Sequence, residues 1–91
     1  MEFRWDPAKA AENRRKHGVE LADSVGVFED TYALTRDAPH ASEERFVSTG
    51  RDFLDRVMVV AWMPEDDAIR LISARRATPR ERRQYAEDAD A

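Results

Sequence analysis

The chain has 91 residues, no cysteine and a net charge of −4 at pH 7. A chain of this length predicts a single domain, here residues 1–91. The lack of cysteine excludes a disulfide framework and a thiolate metal site, and the acidic balance argues against a general nucleic-acid binder. No run approaches 18 apolar residues and the N-terminus lacks the regions of a signal peptide, so we expect a soluble, cytoplasmic protein without a membrane role.

The first residues predict a short extended piece and a well-delimited helix. Residues 3–5 form the extended piece, and Asp6 and Pro7 follow as the N-cap and first position of the helix. The helix should run to about His17, where Gly18 ends it.

The spacing of apolar residues predicts a second helix and then four strands. The helix is predicted from about Glu20 to Val27, with apolar residues at i, i+4 and i+7. The strands, joined by short turns, predict an antiparallel meander over residues 31–36, 44–49, 56–63 and 69–76. The third strand is apolar throughout from Val57 to Met63, so it should be central and covered on both faces.

Strict alternation along the last strand places arginines on both of its faces. One face would hold Ile69, Leu71, Ser73 and Arg75, and the other Arg70, Ile72, Ala74 and Arg76.

The C-terminal segment begins with a capping box, Thr78-Pro79-Arg80-Glu81, which predicts a third helix from Pro79 to about Asp88. Its few apolar residues, chiefly Tyr85, predict light docking or polar anchoring. We expect the acidic end, about residues 87–91, to be frayed. The fold class is α+β, with two N-terminal helices, a four-stranded antiparallel meander sheet and a C-terminal helix.

The first predicted helix carries a polar stripe, because about 100° per residue places four side chains within a quarter turn: Lys9, Asn13, Lys16 and His17. From the residues alone a solvated face is the favoured interpretation, with His17 as a cation at the helix C-terminus. The alternative is a titratable group beside a phosphate-binding lysine.

The remaining candidates are the strand arginines Arg45, Arg70, Arg75 and Arg76. Cleaving RNA through its 2′-hydroxyl requires a base, a cation for the phosphate and an acid, but no metal. No motif for a metal or a nucleotide phosphate loop is present, so we expect neither metal nor cofactor. The alternative is that Arg75 and Arg76 end a strand and pair with Glu81 or an aspartate.

Taken together, the spaced motifs resemble the BrnT family. They are Phe3-x-Trp5-Asp6-x-x-Lys9-x-x-x-Asn13-x-x-Lys16-His17-Gly18-Val19, Val27-Phe28-x-Asp30, Glu44-Arg45, Gly50, and Arg70-x-Ile72-Ser73-Ala74-Arg75-x-Ala77-Thr78-x-x-Glu81-Arg82-x-x-Tyr85. The resemblance covers nearly the whole chain. It implies a ribonuclease toxin of a type II toxin–antitoxin pair, with a RelE-like fold. It also implies inhibition by a ribbon-helix-helix antitoxin, BrnA, through which alone operator DNA would be contacted.

The residues that match the family pattern are Lys9, Asn13, Lys16, His17, Arg45, Arg70, Arg75, Glu81 and Tyr85. We hypothesise that Arg75 holds the scissile phosphate and that His17 or Glu81 carries the proton. Further RNA contacts are expected from Lys9, Asn13, Lys16, Arg45, Arg70, Arg76 and Tyr85.

The acidic net charge leaves a second hypothesis open, an inactive toxin homologue that binds the antitoxin and acts as co-repressor. A structure separates the two. Side chains of His17, Arg45 and Arg75 that meet in one open groove favour catalysis, whereas scattered or internally paired ones favour the binding role.

Overall fold

The computed structural model describes residues 1–89 and has an α+β fold, with one mixed sheet of five strands and helical segments. The sheet order is β1-β5-β4-β3-β2. The strands are β1 (Glu2–Arg4), β2 (Leu34–Asp37), β3 (Phe46–Arg51), β4 (Val57–Glu65) and β5 (Ala68–Arg76). The helices are α1 (Pro7–His17), α2 (Leu21–Ser24) and α3 (Pro79–Ala89), and a 3₁₀ segment (Val25–Glu29) follows α2.

The prediction of a four-stranded antiparallel sheet was wrong by one strand. The extended N-terminal piece is β1, which pairs in parallel with the start of β5, with Phe3 opposite Ile69. The four predicted strands pair antiparallel in chain order. A three-residue strand whose partner lies more than 60 residues away leaves no local pattern that distinguishes it from a loop.

The second predicted helix is only one α-helical turn, and the chain then continues as the 3₁₀ segment. The hydroxyl of Ser24 donates to the carbonyl of Leu21 at 2.6 Å, a local bond that competes with regular helix bonds. Gly26 meets the backbone of the β3–β4 turn, where a Cβ atom would lie 2.5 Å from the nitrogen of Phe53. This segment is therefore shaped by its tertiary contact more than by its apolar spacing.

Helix α1 confirms both of its predicted ends. The side chain of Asp6 accepts a hydrogen bond from the amide of Ala8 at 2.8 Å. Gly18 adopts the left-handed conformation, with φ 67°, and its amide donates to Arg14 O at 2.9 Å. Position 18 requires this backbone geometry, which glycine adopts without strain.

The hydrophobic core lies between the N-terminal helical segments and one face of the sheet. Strand β4 is central, as predicted, and its Met58 and Val60 are fully buried. The core cluster comprises Val19, Leu21, Val27, Met58, Val60, Ile69, Leu71 and Ala74. We call this the core face of the sheet.

A β-bulge in β5 changes which residues share a face. Ala61 pairs with Ser73, but the next residue of β4, Trp62, pairs with Leu71, so Ile72 is the extra residue. The strict alternation predicted for β5 is therefore wrong, because a bulge exchanges the two faces beyond it. Ala74 joins Ile69 and Leu71 in the core, while Arg70, Ser73 and Arg75 share the opposite face.

Helix α3 begins at the predicted capping box. The amide of Glu81 donates to the Thr78 hydroxyl at 3.2 Å, and the amide of Thr78 donates to the Glu81 carboxylate at 2.8 Å. The helix continues to Ala89. Of the segment expected to be frayed, residues 87–89 are thus helical, and residues 90 and 91 lie outside the described residues. None of the helices within residues 1–89 is long and apolar enough to cross a membrane.

Candidate functional site

The sheet face opposite the core gathers arginines. Cross-strand partners share a face, which places Arg36, Val47, Ala61 and Ser73 in one row and Met63 beside Arg70 in the next. Arg75 lies opposite Val59 on the same face. Phe46 stacks on Trp62 on the core side, so Arg45 just before it points to the arginine side. We define the arginine face as Arg36, Arg45, Val47, Ala61, Met63, Arg70, Ser73 and Arg75.

A groove of about 280 Å³ runs between α1 and the edge of β5. The exposed side chains of Lys9, Glu12, Lys16 and His17 line its helix side, and Ser73 belongs to its strand side. Lys16 forms an ion pair with Glu12 at 2.8 Å, whereas Lys9 has no carboxylate of residues 1–89 within ion-pair distance. Because Ser73 lies in both the α1 groove and the arginine face, the two surfaces adjoin at this residue.

Asn13 holds α1 against β5 beside this groove, and its side-chain amide is hydrogen-bonded to the backbone. Its Nδ2 donates to Val19 O at 3.0 Å and to Ala74 O at 2.9 Å, and its Oδ1 accepts from Ala74 N at 2.9 Å. The residue is 4% exposed. Its amide therefore pairs with the free edge of β5 as a neighbouring strand would. The expectation that Asn13 contacts RNA is corrected, because its polar atoms are already committed to the fold.

Arg75 is held by Glu81 in a two-point ion pair. Its Nη1 and Nη2 donate to Oε1 and Oε2 at 2.8 and 2.9 Å. The hydrogen bonds that Arg75 donates to Glu81 raise the pKa of Arg75, although burial opposes this shift. The guanidinium thus remains charged, and part of it is open to solvent, with the side chain 40% exposed.

The same ion pair limits what Glu81 can do. Hydrogen bonds from Arg75 lower the pKa of Glu81, although burial opposes the shift. Hydrogen bonds from Thr78 act in the same direction, and the resulting pKa of Glu81 is about 2. A carboxylate with that pKa is not protonated at neutral pH and is a poor base there, because proton transfer is most efficient near the operating pH. Of the two predicted proton carriers, the geometry favours His17.

The other predicted arginines are distributed around the sheet. Arg70 contacts Glu65 at 3.4 Å, and Arg45 contacts Glu43 at 2.7 Å beside a cavity of about 420 Å³ formed by the β2–β3 connection. Arg76 is exposed at the strand end, where pairing with Met58 places it on the core side, away from Arg75.

His17, Arg45 and Arg75 therefore do not share one groove. His17 lines the α1 groove, while Arg45 and Arg75 are each paired with a glutamate. The three side chains thus do not meet the condition of one shared groove. The α1 groove and the arginine face are connected where they adjoin at Ser73.

Tyr85 is an anchor for α3 and is 4% exposed. Its hydroxyl donates to Asp30 Oδ2 at 2.5 Å, and the guanidinium of Arg51 lies 5.7 Å from its ring centroid. Burial, together with the Asp30 carboxylate, raises the pKa of Tyr85 to about 12. The expectation that Tyr85 contacts RNA is corrected, since its ring is buried and its hydroxyl is occupied.

Asp30 is the centre of this anchor, a role that the sequence did not reveal. It accepts from Tyr85 and from the amides of Arg51 and Tyr32, at 2.8 and 2.9 Å for the amides. Burial would raise the pKa of Asp30, but these hydrogen bonds outweigh it and lower the pKa. Its partners lie in three separate elements, so no spacing rule links them.

Two residues of the site were missed from the sequence. Arg36 could have been found from its alternation with Leu34, but Ser73 depends on the bulge at Ile72. Within residues 1–89 no group of three or more His, Asp or Glu side chains is arranged to hold a metal ion.

Comparison with known proteins identifies the chain. The family model described as the ribonuclease toxin BrnT of type II toxin–antitoxin systems matches residues 5–81. The chain belongs to the BrnT family. Its members are ribonuclease toxins with antitoxin partners, and the resemblance drawn from the spaced motifs is confirmed.

The fold comparison agrees with the BrnT assignment. The structure is similar to the 1.1 Å crystal structure of the Brucella abortus ribonuclease toxin, BrnT, with a TM-score of 0.66 and 26% sequence identity. The match covers 86% of this chain and 97% of the Brucella chain. No curated protein sequence matches this chain. The range matched by the BrnT family model includes the α1 groove, the arginine face and Glu81, whereas Tyr85 lies beyond it.

Proposed function

We propose that this BrnT-family toxin is a metal-independent endoribonuclease that cleaves RNA by attack of a 2′-hydroxyl on the adjacent phosphate. The observation that carries the proposal is the junction at Ser73. There the α1 groove, with two lysines and a histidine, adjoins a sheet face with four arginines. Local positive charge on an acidic protein is sufficient to bind a polyanion at that site.

His17 is the proposed proton carrier. It is exposed in the α1 groove, and histidine is the side chain that most often transfers protons in catalysis. In the reaction the 2′-oxygen forms a bond to phosphorus and loses its proton to the base. The bond from phosphorus to the 5′-oxygen breaks, and this oxygen takes up a proton. The products are a 2′,3′-cyclic phosphate and a 5′-hydroxyl.

Arg75 is the proposed ligand of the reacting phosphate. A planar guanidinium binds two phosphate oxygens as readily as two carboxylate oxygens. In the free protein Glu81 occupies this position on Arg75 and holds the guanidinium in a fixed orientation. The phosphate would share Arg75 with Glu81 or replace the carboxylate.

Flanking phosphates are proposed to contact Lys9 and Lys16 on the helix side, and Arg45 and Arg70 on the sheet side. Arg36, which has no ion pair with residues 1–89, adds a further cation to the arginine face. Arg76 is proposed to contact RNA only at the strand end, because it lies on the other face.

The partner is proposed to be a BrnA-like ribbon-helix-helix antitoxin that contacts operator DNA on behalf of the pair. This identity, the RelE-like relationship and the cytoplasmic location remain predictions that follow from the family resemblance.

Digestion of RNA by the purified protein in the presence of EDTA tests the proposal. We expect cleavage products with 2′,3′-cyclic phosphate ends. His17→Ala should reduce the cleavage rate roughly 10²- to 10⁴-fold, and Arg75→Ala roughly 10²- to 10³-fold. Glu81→Ala, which removes no proton carrier in this scheme, should have a smaller effect. Arg83→Ala on the exposed side of α3 is the control.

The alternative function, an inactive homologue that binds the antitoxin and acts as co-repressor, is favoured by the ion pairs of Arg45 and Arg75. Undegraded RNA together with normal growth on expression without antitoxin would establish it and reject the nuclease. Cleavage that stops in EDTA would reject the metal-independent chemistry alone.

A further inference from the structure

Three large apolar side chains are exposed on two neighbouring turns at one end of the sheet. Tyr32, Phe53 and Leu54 are 58%, 55% and 56% exposed. Among the described residues Met1 is the only other large apolar side chain with comparable exposure. We define the apolar turn patch as Tyr32, Phe53 and Leu54.

The two turns are joined by one carboxylate. Asp30 accepts from the amide of Tyr32 through Oδ1 and from the amide of Arg51 through Oδ2. Arg51 is the last residue of β3, two positions before Phe53. The backbones of the two turns are therefore held together at Asp30, which places the three side chains in one region at the same end of the sheet.

The turn that carries Phe53 and Leu54 is rigid. The side chain of Asp52 is fully buried and accepts from the amides of Leu54 and Arg56 at 3.0 and 2.9 Å. The Arg56 side chain donates to the same carboxylate at 2.7 Å. On the other side, the amide of Phe53 donates to the carbonyl of Asp23 at 3.1 Å. A turn fixed in this way loses little conformational entropy when a partner binds it.

Exposed aromatic side chains on a rigid support are typical of protein-binding surfaces, and Leu54 extends the apolar area beside them. The surrounding charges define the partner. The buried carboxylate of Asp52 pairs with Arg56, and Asp55 pairs with Arg51. Asp23, next to the turn, has no ion pair with residues 1–89, so the group is left with a net negative charge. Asp55 is 84% exposed.

We infer that the apolar turn patch is the docking surface for the protein antitoxin, through a segment that combines apolar anchors with Lys or Arg. A second copy of this chain would bring two regions of net negative charge together, and RNA is itself negative, so the net charge disfavours both.

The patch and the proposed nuclease site share no residue. Arg51, beside the patch, pairs with Val57 and Arg75 pairs with Val59, so the two arginines lie near the same end of the sheet, on strands that β4 separates. The patch adjoins Arg51, while α3, anchored at Asp30, lies between the patch and the open rows of the arginine face. An antitoxin bound at the patch is held next to the toxin by contacts that take no part in the chemistry.

The experiment measures antitoxin affinity and RNA cleavage on the same proteins. The probe is the purified antitoxin, identified as the protein that co-purifies with the unchanged toxin, so that its identification does not depend on toxicity. Phe53→Ser and Leu54→Ser should each weaken binding at least tenfold in titration calorimetry, and the double variant further, with cleavage within twofold of the unchanged protein. Arg83→Ser on α3 is the matched control, and thermal melting confirms that each variant is folded.

Asp55→Asn provides a milder variant, because asparagine tolerates the left-handed conformation at φ 61°. It should weaken antitoxin binding two- to fivefold and reduce the dependence of affinity on salt. Antitoxin affinity within twofold for both serine variants would overturn the inference, as would a dimer of the toxin alone that dissociates in Phe53→Ser.

This inference rests on the proposed antitoxin partnership and not on the proposed chemistry. An unchanged protein that binds antitoxin through the patch but leaves RNA intact rejects the nuclease and retains the docking surface. If the unchanged protein cleaves RNA but the serine variants bind the antitoxin as tightly as it does, the docking surface alone is rejected.

Discussion

Arg75 and Glu81 join the end of β5 to the first turn of α3 through two parallel hydrogen bonds, at 2.8 and 2.9 Å. The glutamate also accepts from the amide of Thr78, so one carboxylate completes the helix cap and orients the arginine. An ion pair expected as a structural alternative to phosphate binding is thus present in the free protein. It leaves Arg75 charged, oriented and on the same face as Ser73.

The Arg75–Glu81 pair should make stability depend on acid pH. The pKa of Glu81 is lowered from 4.5 to about 2, so its contribution is present above pH 4.5 and is lost as the pH falls toward 2. We expect Glu81→Gln to lower the free energy of unfolding at pH 7 by about 1 to 2 kcal/mol, a value reduced for solvent screening. Urea unfolding at pH 7, 4.5, 3 and 2 measures the difference, which should shrink over the last three. An equal difference at pH 7 and pH 2 would contradict this account.

Removing the Tyr85 hydroxyl should destabilise the docking of α3. Tyr85→Phe leaves the Asp30 carboxylate without its donor from α3, which costs about 1 to 3 kcal/mol. Tyr32→Phe is the control, because that exposed side chain should change stability by no more than about 0.5 kcal/mol. Denaturant unfolding compares the two, and similar values for both would show that the Tyr85–Asp30 bond does not anchor the helix.

The same tyrosine should weaken the fold at alkaline pH. Its pKa is raised from 10.0 to about 12, so the stabilisation is complete below pH 10 and is lost as the pH rises from 10 to 12. Thermal melts between pH 9 and pH 12 should show a steeper decline for the unchanged protein than for Tyr85→Phe. Parallel declines would count against a raised pKa at this residue.

Asn13 should be among the most sensitive polar positions. Asn13→Ala removes three hydrogen bonds and leaves the free edge of β5 at Ala74 unpaired, with an expected loss of about 2 to 4 kcal/mol. Gln84→Ala, which truncates an exposed amide side chain on α3, is the matched control. If urea unfolding gave a loss below 1 kcal/mol for Asn13→Ala, the amide would not be a structural bridge.

The salt dependence of RNA affinity should distinguish the arginines that bind phosphate from those that do not. Each phosphate contact that is lost from a single strand should reduce the slope of log K against log salt by about 0.7. Arg70→Ala on the arginine face should show this change with a single-stranded RNA that is not cleaved, whereas Arg83→Ala should not. Identical slopes for both variants would remove Arg70 from the RNA-binding surface.

The sequence by itself determined the features that depend on neighbours in the chain. Asp6, Pro7 and Gly18 fix α1 because caps act within a few residues, and the capping box at Thr78 fixes the start of α3 for the same reason. The apolar run of β4 predicted its central place, since only a strand covered on both faces tolerates such a run. The spaced motifs were sufficient for the family.

Only the tertiary structure decided which of these residues act together. The bulge at Ile72 exchanged the faces of β5, and β1 joined the sheet through a partner more than 60 residues away. Asn13 and Tyr85 match the family pattern as polar residues, yet burial turned one into a bridge to β5 and the other into an anchor at Asp30. Register and burial depend on contacts between distant segments, and the spacing of residues along one segment carries no information about them.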